Sequence, residues 1–170
     1  TSVTSAGAQS LTGGTISGAL DGAGAITASS GTTALDGGTI TNAASFEVNG
    51  GTVNETNTGS IDTSGDTVTV SSGTLTTDGD GIADDEAVTV SGGTLTATGT
   101  DTVASLTQSG GTIDGSSVLT ATGAFTQSGG TTGGTIGIDA ATFTQSGGTI
   151  AAGTSVTSAG AQSLTGGTIS

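Results

Sequence analysis

Eight residue types are missing from this 170-residue chain: Lys, Arg, His, Pro, Cys, Met, Trp and Tyr. Each absence closes a route to function. Without Lys or Arg no phosphate backbone can be neutralised, so nucleic acid is excluded as a partner. A polybasic membrane patch is excluded for the same reason. Without His, Cys or Lys the triad, thiolate, Schiff-base and P-loop chemistries are closed, and so are zinc and other soft-ligand sites. No apolar run approaches the roughly 18 residues of a transmembrane helix, and no basic n-region of a signal peptide opens the chain. What remains is carboxylates, hydroxyls and amides. That vocabulary is structural and requires no cofactor. A hard cation such as calcium is the one ion it suits.

Thr, Ser and Gly fill more than half the chain, and fourteen acidic residues meet no basic one, for a formal charge of −14. Low complexity with unbalanced charge is the signature of disorder. Two features oppose it here. Hydrophobic residues reach 31%, and they are mainly Val, Ile, Leu and Ala set at regular intervals. Proline, the companion of Gly and Ser in flexible linkers, is absent.

Repetition organises the whole sequence. Residues 1–17, TSVTSAGAQSLTGGTIS, return unchanged as residues 154–170. A unit of 153 residues has begun again, so residues 1–170 read as one continuous segment of a tandem array. Within the long unit lies a short one: VTVSSGTL (68–75), VTVSGGTL (88–95), LTQSGGTI (106–113), FTQSGGTT (125–132) and FTQSGGTI (143–150). The Thr after the Gly marks the phase, at Thr15, Thr39, Thr52, Thr74, Thr94, Thr112, Thr131, Thr149 and Thr168. Eight steps span 153 residues, about 19 per step; the first two, of 24 and 13, are uneven and point to one misplaced landmark.

Helices are disfavoured by this much Gly, Thr and Ser. Val68-Thr69-Val70 and Val88-Thr89-Val90 alternate with a period of two, as half-buried strands do. Ser-Gly-Gly then permits a corner, and Thr-Ile or Thr-Leu opens the next strand. Strand, corner and strand at fixed spacing predict an all-β, right-handed parallel β-helix (a β-solenoid), with about 19 residues per coil and eight coils per 153-residue unit.

Three ladders follow. One is Phe46, Val68, Val88, Leu106, Phe125, Phe143; the second is Val48, Val70, Val90, Gln108, Gln127, Gln145, Leu164. The third is Val53, Leu75, Leu95, Ile113, Thr132, Ile150, Ile169. The three glutamines read as stacked amides that satisfy one another along the axis, with a functional polar row as the alternative. Thr132 breaks the third ladder, with Ile136 or Ile138 available to fill the gap.

Repeats of the form apolar-Thr-x-Ser-Gly-Gly-Thr-apolar resemble the right-handed parallel β-helix exoproteins of bacteria, in particular filamentous-haemagglutinin-type adhesins and autotransporter passenger domains. The likeness covers essentially all 170 residues. It implies a secreted or surface-displayed stalk, fibre or adhesin, and carries over no catalytic residue. The chain departs from that pattern in lacking Lys and Arg altogether and in its 153-residue identity.

One stretch, Thr76–Glu86, interrupts the monotony with five carboxylates: Asp78, Asp80, Asp84, Asp85 and Glu86. Set against an EF-hand-like calcium loop, Asp78 and Asp80 take positions three and five, Gly81 six, Ile82 seven and Asp84 nine. The run also resembles thrombospondin-type and dockerin-type Asp-Gly-Asp-Gly-Ile loops. Position one is Thr76, however, and position twelve is Ala87, with Glu86 one place early. Two readings stand: a calcium site on those five residues, or a solvated acidic corner. A second bulge, residues 54–67, holds Glu55, Asp62 and Asp66.

Paired carboxylates could serve a glycosidase, but the bases and Trp or Tyr that hold a sugar are missing, so an enzyme is not expected. A threonine row for ice or glycan starts at Thr74-Leu75-Thr76 and Thr94-Leu95-Thr96 and stops at Thr112-Ile113-Asp114. The expectation is therefore a structural segment of an extracellular or cell-surface fibre, self-associating through repeat stacking along its axis and open to lateral contacts. The alternative is an adhesin-type module whose acidic, calcium-loaded loops contact a receptor, glycan or neighbouring filament.

Overall fold

The computed structural model describes residues 2–170; Thr1, the first residue of the repeated seventeen, lies outside the described residues. Every regular element among them is a strand, and no helix there is long and apolar enough to cross a membrane. The alternating Val-Thr-Val and Thr-Leu-Thr stretches form the expected short strands, because β-branched residues suit a pleated, half-buried surface. Burial alternates along them residue by residue. All pairings between strands are parallel, each strand lying on its counterpart about one coil away.

Each coil has three faces. The first is built from Ser2–Ser5, Ala19–Gly22, Thr39–Thr41 and Ser60–Ile61. An isolated bridge links Ile61 to Ile82. Face one then resumes as a ladder from Asp101–Val103 through residues 118–121 and 137–140 to Ser155–Ser158. The second face carries the two ladders that include Phe46 and Val48, and the third the ladder that includes Val53. All three ladders stand in the expected register, from Val68↔Phe46 to Gln145↔Leu164 and from Leu75↔Val53 to Ile150↔Ile169.

Face one was not anticipated as a separate ladder. Its interior column of Leu20, Ile40, Ile61 and Ile82 is buried; beyond the break Leu119 and Ile138 continue from Asp101, and Val103 stands in the adjacent column with Ala121 and Ala140, all of them buried. In sequence Ile61 and Ile82 sit in the two stretches read as bulges, and Ile40 follows Thr39, read as a corner marker. The misplaced landmark is Thr39. It pairs with Ala19 and Ser60 on face one, whereas the residue opposite Thr52 is Thr32. With Thr32 in place the step to Thr52 is 20 residues, while Thr15 lies opposite Ala34, two residues further on. From Gln9 to Gln162 the second face passes through Ile26, Phe46, Val68, Val88, Leu106, Phe125 and Phe143. That is eight steps, so the 153-residue unit closes on a whole number of coils.

Corner glycines permit the tight stacking. Gly111, Gly130 and Gly148, the second glycines of Ser-Gly-Gly-Thr, have φ of 61°, 75° and 76°. A Cβ there would lie 2.2, 2.5 and 2.7 Å from a glycine carbonyl oxygen of the preceding coil. Backbone thus meets backbone at this corner with no room for a side chain. Between the corners, the interior is filled by one aliphatic or Phe per ladder position, each contributing roughly 1.5–3 kcal/mol on full burial. Phe125 and Phe143 stack with centroids 5.2 Å apart.

Candidate functional site

The acidic stretch does not close into one loop around a point. Asp78, Asp80, Asp84 and Asp85 are exposed, while Ile82 is buried on face one and Glu86 is fully buried. Gly79 and Asp80 both take positive φ, 89° and 51°, which turns the chain sharply ahead of Ile82. Among the described residues, no group of three or more His, Cys, Asp or Glu side chains is gathered as metal ligands. Glu86 is directed instead at the preceding coil. Its Oε1 accepts from the Thr63 N–H at 2.5 Å, and its Oε2 accepts from the Thr63 hydroxyl.

Two further carboxylates are buried in the same part of the solenoid. Asp101 sits where the backbone ladder of face one is broken, between Ile82 and the strand Asp101–Val103. Backbone bonds flank the break, from Asp80 N–H to Thr100 O at 3.0 Å and from Ala104 N–H to Glu86 O at 2.8 Å. Inside it, Asp101 Oδ1 takes the place of a backbone carbonyl, accepting from Gly81 N–H at 2.7 Å and Ile82 N–H at 3.3 Å. Its Oδ2 accepts from the Thr77 hydroxyl. Glu55 reaches the following coil, where Oε2 accepts from the Asp78 N–H at 2.5 Å, while Oε1 is buried without a partner.

Burial pushes the Glu55 carboxyl above the usual range; the Asp78 N–H opposes this, and the charges of Asp78 and Asp101 add to it. Burial likewise raises Asp101, against the pull of the Thr77 hydroxyl and the Ile82 and Gly81 N–H groups.

Glu55 and Asp101 were missed by a reading that sought clusters of acids. The signal that finds them is the strand period. In Val53-Asn54-Glu55, Glu86-Ala87-Val88 and Asp101-Thr102-Val103, each acid stands two residues from a core valine and so points inward with it. Two acids at the surface are also held by neighbouring coils. Asn42 donates to Asp21 at 2.9 Å and Asn57 to Asp36 at 2.6 Å, both asparagines sitting at positive φ.

The glutamine row forms as expected. Gln127 Nε2 donates to Gln108 Oε1 at 2.9 Å, and Gln145 Nε2 to Gln127 Oε1 at 3.0 Å, each amide bonding the one a coil earlier. Every Nε2 also reaches a backbone carbonyl of the third face: Thr131 from Gln108, Thr149 from Gln127 and Thr168 from Gln145, at 2.9–3.2 Å. Thr132, the polar break in the third ladder, belongs to the same network, its hydroxyl donating to Gln108 Oε1 at 2.8 Å. Ile138 does not fill that gap; it packs in its own column on face one, between Leu119 and Val156.

These features define a parallel β-solenoid whose apolar interior is interrupted by an amide row and by three buried carboxylates. Comparison with protein-family models, with curated proteins and with solved structures gives no match.

Proposed function

We propose that the chain is a segment of a tandem-repeat β-solenoid that forms a long extracellular or cell-surface fibre or stalk, and that its role is mechanical rather than catalytic. One observation carries this reading. The repeated sequence, as residues 2–17, stands in the first coil with a neighbour above and, as residues 155–170, in the last coil with a neighbour below. Gln9–Leu11 lies against Ala25–Ala28, and Gln162–Leu164 against residues 143–145, both in unbroken parallel register. A coil that accepts both neighbours can join one 153-residue unit to the next without a change of architecture. The resemblance to β-helix exoproteins supports the extracellular placement. At about 4.8 Å per coil, eight coils advance roughly 38 Å. Electron microscopy and diffraction of the native filament test the reading: an axial repeat near that value is expected, and its absence would refute the array.

A further inference from the structure

Two buried acids reach the turn 78–81 from opposite sides and close on one residue, Gly81. From the preceding coil, Glu55 Oε2 accepts from the Asp78 N–H at 2.5 Å and lies 2.7 Å from where a Cβ on Gly81 would stand. From the following coil, Asp101 Oδ1 accepts from the Gly81 N–H at 2.7 Å. Thr77 of the middle coil joins them, its hydroxyl bonded to Asp101 Oδ2 and its Cβ 3.1 Å from the same Gly81 position. Glu55, Thr77 and Asp101 are all buried, while Asp78 and Asp80 stand exposed at the rim.

One oxygen of this group has no partner. Glu55 is fully enclosed, yet its Oε1 receives no hydrogen bond. The Gly59 N–H beside the carboxyl is taken by the Thr56 carbonyl at 3.2 Å. A buried carboxylate ordinarily pairs with a cationic side chain, and this chain has no Lys, Arg or His. The counter-charge therefore comes from solution. Burial first, and then the charges of Asp78 and Asp101 on Glu55 and of Asp80 on Asp101, raise both carboxyls above their ordinary range, as expected of acids that lack a counter-charge.

The geometry points to a binding site for one hard divalent cation of the calcium class, held between Glu55 and Asp101. Glu55 Oε1 supplies the free ligand oxygen, Asp101 and the Thr77 hydroxyl the other side-chain oxygens, and water completes the shell. Two positive charges balance two buried acids. The site differs from the five-acid loop that spacing suggests. Asp84 and Asp85 are exposed and Glu86 is engaged with Thr63, while Asp78 and Asp80 contribute field at the entrance rather than ligands. With two acidic ligands it forms no cluster of three. Its place in the fold gives it a role: the ion joins three successive coils beside the break in the backbone ladder of face one, where Asp101 already stands in for a carbonyl.

Calorimetric titration of the chelator-stripped chain with calcium chloride, in about 0.15 M potassium chloride to screen the exposed acids, tests the site. One saturable site per chain is expected, with a thermal midpoint that rises with calcium. Glu55→Gln and Asp101→Asn preserve side-chain size and leave an oxygen for the N–H groups each acid holds. Both variants should therefore keep the circular dichroism of the wild type while binding calcium roughly tenfold more weakly or worse. The double variant Asp84→Asn/Asp85→Asn, which removes surface charge without touching the site, should bind as the wild type does. Europium in place of calcium gives a reading on the wild type alone: luminescence lifetimes in H2O and D2O should count fewer bound waters than on an ion held by exposed carboxylates. A chain without saturable calcium binding would overturn the site. So would a Glu55→Gln chain that binds as tightly as the wild type, affinity lost only with Asp84 and Asp85, or a europium ion as hydrated as one on surface acids. None of these results bears on the fibre reading, which stands on the axial repeat.

Discussion

Replacing Gln127 by Leu interrogates the polar row at its centre. The two N–H groups of the amide are shared among Gln108 Oε1 at 2.9 Å, Thr149 O at 3.1 Å and the Thr132 hydroxyl at 3.3 Å, and its oxygen accepts from Gln145 Nε2 at 3.0 Å. Each typical bond contributes about 0.5–1.5 kcal/mol net, so losing the equivalent of three costs about 1.5–4.5 kcal/mol. Part is recovered, because Gln145 keeps Thr168 O at 3.2 Å and Gln108 keeps the Thr132 hydroxyl at 2.8 Å. The leucine adds apolar burial of about 1–2 kcal/mol. A net loss of about 2 kcal/mol is expected. The informative comparison is with a quadruple variant carrying Gln108→Val, Gln127→Val, Gln145→Val and Thr132→Val. Val48, Val70 and Val90 already occupy the same column three coils running, fully buried, so the space accepts valine. With the side chains of the row removed together, no amide or hydroxyl is stranded, and replacing both members of a buried bond is close to neutral; what is lost is the side-chain donor to the carbonyls of Thr131, Thr149 and Thr168. The quadruple variant should therefore lose clearly less than the sum of the four single variants. Urea unfolding, with amide exchange at Phe125–Gln127 as a local probe, measures both. Losses that simply add from single to quadruple variant would refute the cooperative row and leave three independent polar contacts.

Gly130→Ala forces a side chain into φ of 75° and to within 2.5 Å of the Gly110 carbonyl. The left-handed conformation alone costs roughly 1–2 kcal/mol, so a larger fall in urea midpoint is expected than for Gly133→Ala, whose added carbon meets nothing nearer than 3.8 Å. Glu86→Gln weakens a charge-assisted contact with Thr63 that is worth about 1.5–3 kcal/mol; the loss should be the same in calcium and in a chelator, and a loss seen only with calcium would reassign Glu86 as a ligand. Because the folded-state pKa values of Glu55 and Asp101 lie above their unfolded values, these groups oppose folding while ionised, and that penalty lifts as pH falls through the raised values and is gone below the ordinary carboxylate range. Thermal midpoints of wild type should therefore gain more on acidification from pH 7 than those of a Glu55→Gln/Asp101→Asn variant, and equal gains would dismiss the two groups as the source.

The period of two in Val-Thr-Val and the spacing of Ser-Gly-Gly-Thr made faces two and three legible in sequence, down to individual register. Those faces repeat because their strands lie next to the glycine corner, where backbone approach admits almost no variation. Face one lies in the stretch between repeats, where the coil length ranges from 17 residues, Gln9 to Ile26, to 22, Phe46 to Val68. Its single aliphatics (Ile40, Ile61, Ile82) are too sparse to show a period, and only stacking against the neighbouring coils makes them a column. The inward turn of Glu86 was illegible for a related reason. Spacing along a chain compares a loop with other loops, whereas Glu86 is oriented by Thr63, 23 residues earlier and one coil below.

A chain with fourteen carboxylates and no cation must satisfy its buried acids by other means, and the solenoid offers one. In the region of the long coils the backbone N–H groups of Thr63, Asp78, Gly81 and Ile82 turn to side-chain carboxylates of neighbouring coils. An inward acid two residues from a core valine can reach such a group. Its ionised oxygens accept more strongly than a neutral amide would, which offsets part of the cost of burial. Asp101 shows the exchange most directly, supplying a side-chain oxygen to Gly81 and Ile82 across the break in the backbone ladder of face one. Coil-length variation and buried charge are therefore two sides of one arrangement. Trimming the 79–86 loop so that face one pairs through its backbone should make Asp101→Leu tolerable, whereas the same substitution in the present chain leaves two buried N–H groups without an acceptor.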